Sequence, residues 1–128
     1  MSRDVATEVA YRAVKQAYRS VEDSVRVTVF GWGREKDEDG KWRAVRPLGG
    51  GWRRRALVPN AFPYSGLRPS EEHWVLWSEV PMERAAVEAY LARHIPSEFS
   101  LVRWWRNPVA RQSVRGIWHV QVILRRVL

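Results

Sequence analysis

The stretch from Ile117 to Val127 is the feature that most constrains the fold of this chain, because its side chains alternate between two faces. A repeat of two residues is typical of a β-strand. The face predicted to pack on a core carries Trp118, Val120, Val122 and Leu124. The other face carries His119, Gln121, Ile123 and Arg125. The chain therefore ends in a strand, which predicts a sheet.

Several other segments have the alternating or continuous apolar pattern of strands. The predicted strands are Ser24 to Trp32, a hairpin within Arg34 to Arg46 that turns at Asp39-Gly40, Ala56 to Val58, His73 to Val80, and Phe99 to Trp105. Between Pro47 and Glu72, no sustained period is present beyond the short strand, so this part is expected to be a long connection.

Two segments space their apolar residues as helices do. The first is expected to begin with Asp4 as its N-cap and to continue to about Glu22. The second is expected to begin at Pro81 and to end near His94. Strands clustered around two main helices predict a single α+β domain over residues 1–128, with a largely antiparallel sheet of about four to six strands. A chain of 128 residues can bury a core without metal or disulfide support.

The charge of the chain favours an acidic partner. Its formal net charge is +8, and all 22 cations except Lys15, Lys36 and Lys41 are arginines. Arginine binds phosphate through a planar fork and stacks on rings, so nucleic acid or another polyanion is the expected partner. A bias in the base composition of the source genome would also make arginine common.

Several classes of site and location are excluded or disfavoured by the sequence. The chain has no cysteine, which excludes disulfides, thiolate zinc sites and cysteine nucleophiles. His73 and His94 lack a partner at metal-ligand spacing, so neither a metal nor another cofactor is expected. No stretch approaches the roughly 18 apolar residues that span a bilayer. We expect no membrane span and an intracellular, soluble protein of the cytoplasm or nucleus.

Two basic segments predict a polyanion-binding surface. The candidate residues are Trp52, Arg53, Arg54 and Arg55 after the glycines at 49–51, together with Arg103, Trp104, Arg106, Arg111 and Arg115. Arginines would track phosphates and tryptophans would stack on bases. Alternatively, the first segment is a mobile solvated loop and most tryptophans belong to the core. The leading hypothesis is a non-enzymatic basic binding domain; a structural or assembly protein that forms homo-oligomers is a further alternative.

The pair His119 and Gln121 is the candidate for chemistry. Both project from one face of the last strand, where an imidazole could act as nucleophile or base and a carboxamide could hold an oxyanion. The alternative is that a helix covers this face and that His119 is a structural histidine. Whether the protein is an enzyme stays open on these grounds.

The C-terminal half resembles an uncharacterised family that includes the N-acetylglucosamine-induced proteins of fungi. The resemblance is carried by three segments, His73 to Pro81, Trp105 to Pro108 and Gln112 to Val122. It implies a related fold and no particular activity. Gln121 stands where the family pattern has a second histidine.

A second resemblance is to histidine-triad nucleotide hydrolases and transferases. The residues that carry it, in order, are His73, Asn107, Gln112, Ser113, His119 and Gln121. It implies that His119 attacks the α-phosphate, that Gln121 and Ser113 hold phosphate oxygens, and that Asn107 and Gln112 contact the nucleotide. The sequence departs from this pattern at Ile117, which replaces the first histidine of the triad, and by one extra residue before His119. The helix between the two halves is also short.

Overall fold

A four-stranded antiparallel sheet forms the centre of the computed structural model, which describes residues 5–112 and 114–128. The helices are α1 (Val5–Ala17), α2 (Val21–Thr28) and α3 (Arg84–His94). The strands are β1 (Gly33–Lys36), β2 (Trp42–Val45), β3 (Arg55–Pro59), β4 (Glu71–Ser78), β5 (Phe99–Trp105) and β6 (Trp118–Arg126). The predicted α+β class and antiparallel sheet are confirmed.

The strand order in this sheet is β3-β4-β6-β5. The two central strands pair without interruption from Glu71 opposite Arg125 to Ser78 opposite Trp118. The outer strand β5 shifts its register between Leu101 and Arg103. The two long predicted strands at the centre are therefore correct to within about two residues at their ends, which is the usual uncertainty of such boundaries.

Helices cover both faces of the sheet. On the first face, Val87 and Leu91 of α3 pack in one buried cluster that includes Leu76 of β4 and Val122 of β6. On the second face lies α2, followed by Phe30, which is 2% exposed. The polar side of β6 is therefore buried as well, with His119 and Gln121 only 5% and 6% exposed. α3 begins at Arg84, after Glu83 as its N-cap, and not at Pro81 as predicted.

The predicted strand from Ser24 to Trp32 is wrong, because most of this segment forms α2. The side chain of Ser20 accepts a hydrogen bond from the backbone N–H of Asp23 at 3.1 Å, which caps the new helix. Val21 and Val25, four residues apart, then bury their side chains against Ile117 and Phe30. A valine at every second position looks like a strand, but packing at a spacing of four decides the outcome. The expected cap at Asp4 lies outside the described residues.

The predicted hairpin forms the separate two-stranded sheet of β1 and β2. The carboxylate of Asp37 accepts hydrogen bonds from the N–H groups of Asp39 and Lys41, both at 2.9 Å. Gly40 adopts a positive φ of 75°, which a residue with a side chain rarely takes. This turn chemistry explains why the hairpin is readable from the sequence. No helix in the described part of the chain is long and apolar enough to cross a membrane.

Candidate functional site

A cavity of about 290 Å³ lies between the second face of the sheet and the N-terminal helices; we call it the helix–sheet cavity. Its wall on the sheet side includes Val75 and Trp77 of β4, and His119 and Gln121 of β6. The other walls come from α1, α2, residues between 58 and 64, and Asn107, Arg111 and Val114 after β5. Most of the lining side chains are apolar or aromatic. The two residues singled out on the last strand thus face a partly open cavity and not a flat surface.

The protonation of His119 is set by one hydrogen bond. Its Nδ1 lies 2.9 Å from the carbonyl oxygen of Ile117, which can only accept, so Nδ1 carries the proton. The other ring nitrogen, Nε2, is then an unprotonated acceptor and makes no hydrogen bond to any residue in the described part of the chain. The ring lies 4.7 Å from that of Trp77.

Burial lowers the pKa of His119 below the usual value of 6.5, because the charged imidazolium loses hydration. The hydrogen bond to Ile117 acts in the opposite direction, the positive charge of Arg106 lowers the pKa further, and Glu22 raises it. Since the net shift is downward, the imidazole is neutral at pH 7. It therefore offers a lone pair and no positive charge.

Gln121 is held by a second buried histidine. The Oε1 of Gln121 lies 2.5 Å from Nε2 of His73, which is 4% exposed. The Nδ1 of His73 accepts the backbone N–H of Tyr64 at 3.0 Å, so the His73 proton sits on Nε2 and is donated to Gln121. This arrangement fixes which end of the carboxamide faces His73.

The amide nitrogen of Gln121 remains available in the helix–sheet cavity. It makes no hydrogen bond to any described residue. Among the described residues, the only fully buried side-chain nitrogen or oxygen without a partner is the indole nitrogen of Trp32. The unpaired nitrogens of Gln121 and His119 are therefore not sealed off, although both residues are buried. His119 and Gln121 are two positions apart on β6, so their Cα atoms are about 7 Å apart along the strand.

The loop that follows β5 closes one side of the cavity. Asn107 lines the cavity, but its Oδ1 accepts from the indole N–H of Trp105 and its Nδ2 donates to the hydroxyl of Tyr64, both at 2.9 Å. Gln112 donates to the carbonyl of Asn107 at 2.8 Å and does not line the cavity. Gln112 thus braces the loop. Ser113, which with Gln121 was predicted to hold phosphate oxygens, lies outside the described residues.

Among the predicted arginines, Arg111 alone lines the cavity. All of the others except Arg103 lie at one end of the four-stranded sheet. This is the end where β4 finishes at Ser78 and β6 starts at Trp118. β3 begins at this end, with Arg55 opposite Ser78, and β5 finishes toward it, with Trp105 opposite Gln121. These outer strands are three spacings apart, about 14 Å. The basic end of the sheet, as we name it, consists of Arg53, Arg54, Arg55, Arg106 and Arg115. Arg103 lies further along β5.

The two tryptophans proposed to stack on bases are packed within the fold. Trp52 is half-buried, 5.5 Å from the ring of Trp32 and 6.5 Å from that of Phe30. Trp104 packs against the α3 side of the core, with the guanidinium of Arg84 5.4 Å from its ring. Both aromatic faces therefore have neighbours within the chain.

Several lining residues had no signal in the sequence. Tyr11 and Val14 of α1, and Tyr64 of the long connection, reach the cavity through tertiary packing. Tyr11 also meets Phe62 edge to face at 5.2 Å. The tyrosine-containing connection has no periodicity, so nothing local marks these side chains as part of a site. Within the described ranges, no group of three or more histidine, aspartate or glutamate side chains could hold a metal ion.

Fold and site together define a small α+β domain with a mostly apolar cavity that contains a neutral histidine. A family model described as "Protein of unknown function (DUF3605)" matches residues 4–125, so the chain belongs to this uncharacterised family. The comparisons with curated proteins and with solved structures gave no match.

Proposed function

We propose that this domain binds a small organic molecule in the helix–sheet cavity. The observation that carries the proposal is the pair of unpaired polar atoms, Nε2 of His119 and the amide nitrogen of Gln121, on the wall of a mostly apolar cavity. Both atoms are open to the cavity, so a ligand inside it could hydrogen-bond with both and be held in one orientation. A cavity with an apolar lining and a few convergent polar groups is the usual form of a ligand site.

The chemistry of the wall specifies the ligand in outline. It needs an apolar or aromatic body, since most lining residues are apolar and Trp77 and Tyr64 are among them. It also needs a donor for the His119 lone pair and an acceptor for the Gln121 amide. Both groups would lie against β6, from which the two side chains project on the same face.

A screen of small aromatic compounds by thermal shift, with hits measured by calorimetry, tests this proposal. His119→Phe and Gln121→Met should each weaken binding about tenfold, the loss expected for one buried hydrogen bond of about 1.5 kcal/mol. His94→Phe and Gln16→Met make the same changes at exposed positions and should leave affinity unchanged. A hit unaffected by both cavity variants would show that it binds elsewhere and would count against the proposal.

A catalytic use of the same cavity is a second candidate, and it follows the resemblance to histidine-triad enzymes. Asn107, His119 and Gln121 line one cavity, and Nε2 of His119 is unprotonated. Nε2 would attack phosphorus, the leaving group would depart with its electron pair, and water would then release the phosphoryl group. Ile117 in place of a triad histidine weakens the analogy.

Nucleoside phosphoramidates, dinucleoside polyphosphates and sugar nucleotides are the substrates to assay. His119→Ala should abolish turnover, whereas His94→Ala should retain it. Equal rates for the wild type and His119→Ala would eliminate catalysis by His119 and leave the binding proposal intact.

Polyanion binding is a third candidate, supported by the basic end of the sheet. Of its arginines, only Arg54 forms an ion pair with a described residue, at 2.8 Å to Glu79. Binding of a labelled single-stranded oligonucleotide should weaken with salt, with a logarithmic slope near one per neutralised phosphate. Arg53→Gln and Arg106→Gln should lower that slope, and Arg93→Gln on α3 should not. No binding at 50 mM salt would remove this candidate.

Two other proposals are independent of the cavity. The relation to the N-acetylglucosamine-induced proteins of fungi is supported by the three C-terminal segments and implies no ligand. Self-association, the basis of the assembly alternative, predicts oligomers in light scattering that persist in high salt; a monomer at all concentrations would exclude it.

A further inference from the structure

Arg111 distinguishes the rim of the helix–sheet cavity from its interior. It is the only charged side chain among the described residues that line the cavity, and no described aspartate or glutamate lines it. Arg111 is exposed, whereas His119 and Gln121 are buried. The cavity therefore has neutral hydrogen-bonding groups inside and one positive charge toward solvent.

The backbone around Arg111 is held in place by local hydrogen bonds. Arg111 ends a single 3-10 turn, Val109–Arg111, in which its N–H donates to the carbonyl of Pro108 at 2.8 Å. Gln112 ties the same loop to Asn107 through the bond already described. The position of the side chain along the rim is thus fixed at its base, and less ordering entropy is lost when it binds.

The charge of Arg111 is not neutralised within the described part of the chain. No described carboxylate lies within ion-pair distance of it, in contrast to Arg54 and Arg84, which bind Glu79 and Glu88. A guanidinium offers parallel N–H donors that fit the two oxygens of a carboxylate or a phosphate. The lining offers no carboxylate that would attract a cation.

We propose that the ligand of the helix–sheet cavity is an organic oxyanion, with a flat apolar body inside the cavity and a carboxylate or phosphate at Arg111. This inference rests on the proposed binding function and specifies the class of ligand. A carboxylate and a phosphate both fit this class, because each presents a pair of oxygens to the guanidinium of Arg111.

A matched series of naphthalene compounds tests this inference by calorimetry. The probes are 1-naphthol, 1-naphthoate, 1-naphthyl phosphate and 1-naphthylmethylammonium, which share one ring system and differ in charge. One or both oxyanions should bind the wild type about tenfold or more tightly than naphthol, as expected for a charged hydrogen bond. The ammonium should bind most weakly. Comparing the affinities of 1-naphthoate and 1-naphthyl phosphate decides between a carboxylate and a phosphate.

Arg111→Gln should bring the oxyanions to within about threefold of naphthol while the affinity for naphthol stays the same. Arg93→Gln removes the same charge from the exposed side of α3 and should preserve the preference. If both variants reduce it equally, long-range charge is responsible and the inference is wrong. If naphthol binds as well as the anions, the inference is wrong but the cavity still binds a ligand. If none of the four probes binds, the cavity proposal itself is contradicted.

Discussion

His73 and Gln121 are joined across the two central strands by a hydrogen bond of 2.5 Å between buried side chains. They are diagonal neighbours, because Val75 is directly opposite Gln121 and His73 is opposite Ile123. Diagonal pairs are within reach only of long or aromatic side chains. The bond orients the Gln121 amide nitrogen for the cavity, so His73 acts on the site through Gln121.

His73→Phe should lower the free energy of unfolding substantially. The ring volume is kept, but the N–H of Tyr64 and the Oε1 of Gln121 lose their partner, at about 1–3 kcal/mol for each group left unsatisfied. Urea unfolding measures this change. His94→Phe, at an exposed position, should change stability by less than about 0.5 kcal/mol. A His73→Phe protein as stable as the wild type would show that this bond does not hold the site.

The sequence predicts both strands but not this bond, because it does not give their pairing or their register. Alternation in β6 places His119 and Gln121 on one face, and the apolar run of β4 predicts a buried strand; both predictions are correct. The chain between these strands contains α3 and β5, so no tight turn sets which residue of β4 meets Gln121. Without the register, His73 cannot be placed.

The helix–sheet cavity itself is also beyond sequence reasoning. One wall of the cavity is α2, where the valines alternating at residues 25–29 predict a strand instead of a helix. Another wall contains Tyr64, which lies in a connection without periodicity. Turn chemistry and strand period are local properties, whereas the cavity arises from packing between distant segments. The hairpin at Asp37 to Lys41 is the opposite case, since its stabilising bonds are all local.

Acid should destabilise the protein through His119 at pH values where carboxylates are still ionised. The folded-state pKa of His119 is below 6.5, so between that pKa and 6.5 the unfolded chain binds a proton that the folded chain does not. The free energy of unfolding therefore rises with pH through this window, by at most about 1.4 kcal/mol per pH unit for one proton. The contribution of neutral His119 to stability is complete above pH 6.5.

Urea titrations between pH 4.5 and 8 measure that slope. His119→Phe should flatten it, and His94→Phe should not. Glu72, whose pKa is lowered chiefly by the hydrogen bond from the Trp74 indole, loses its contribution only below its usual 4.5 and does not interfere. A slope that survives in His119→Phe would assign the effect to another group.

Leu91→Ala should be among the most destabilising changes on α3. Leu91 is fully buried in the cluster that fastens this helix to the sheet, and removing its methyl groups leaves a cavity. The expected loss is about 2–5 kcal/mol in the free energy of unfolding. Leu48→Ala is the matched control, because Leu48 is completely exposed and should cost almost nothing. Similar losses for both would contradict the packing described.

Trp52→Ala should weaken the fold as well as any interaction with nucleic acid. The indole packs against Trp32 and Phe30 and lies 4.4 Å beneath the guanidinium of Arg54. Losing a half-buried tryptophan should reduce the unfolding free energy by about 1–3 kcal/mol, less than the 3–5 kcal/mol of a fully buried one. If oligonucleotide binding fell while stability were unchanged, Trp52 would be a stacking platform and not a core residue.

Glu79→Gln should strengthen binding of a polyanion at the basic end of the sheet. The carboxylate of Glu79 pairs with Arg54 at 2.8 Å and Arg46 at 3.3 Å, so it neutralises part of this surface. Both arginines are more than half exposed, and the change should cost less than about 1 kcal/mol of stability. Released from Glu79, they could meet phosphates and steepen the salt dependence of oligonucleotide binding by about one to two units. Glu88→Gln removes the same charge on α3 and should not alter the slope; an equal effect of both variants would assign the change to net charge alone.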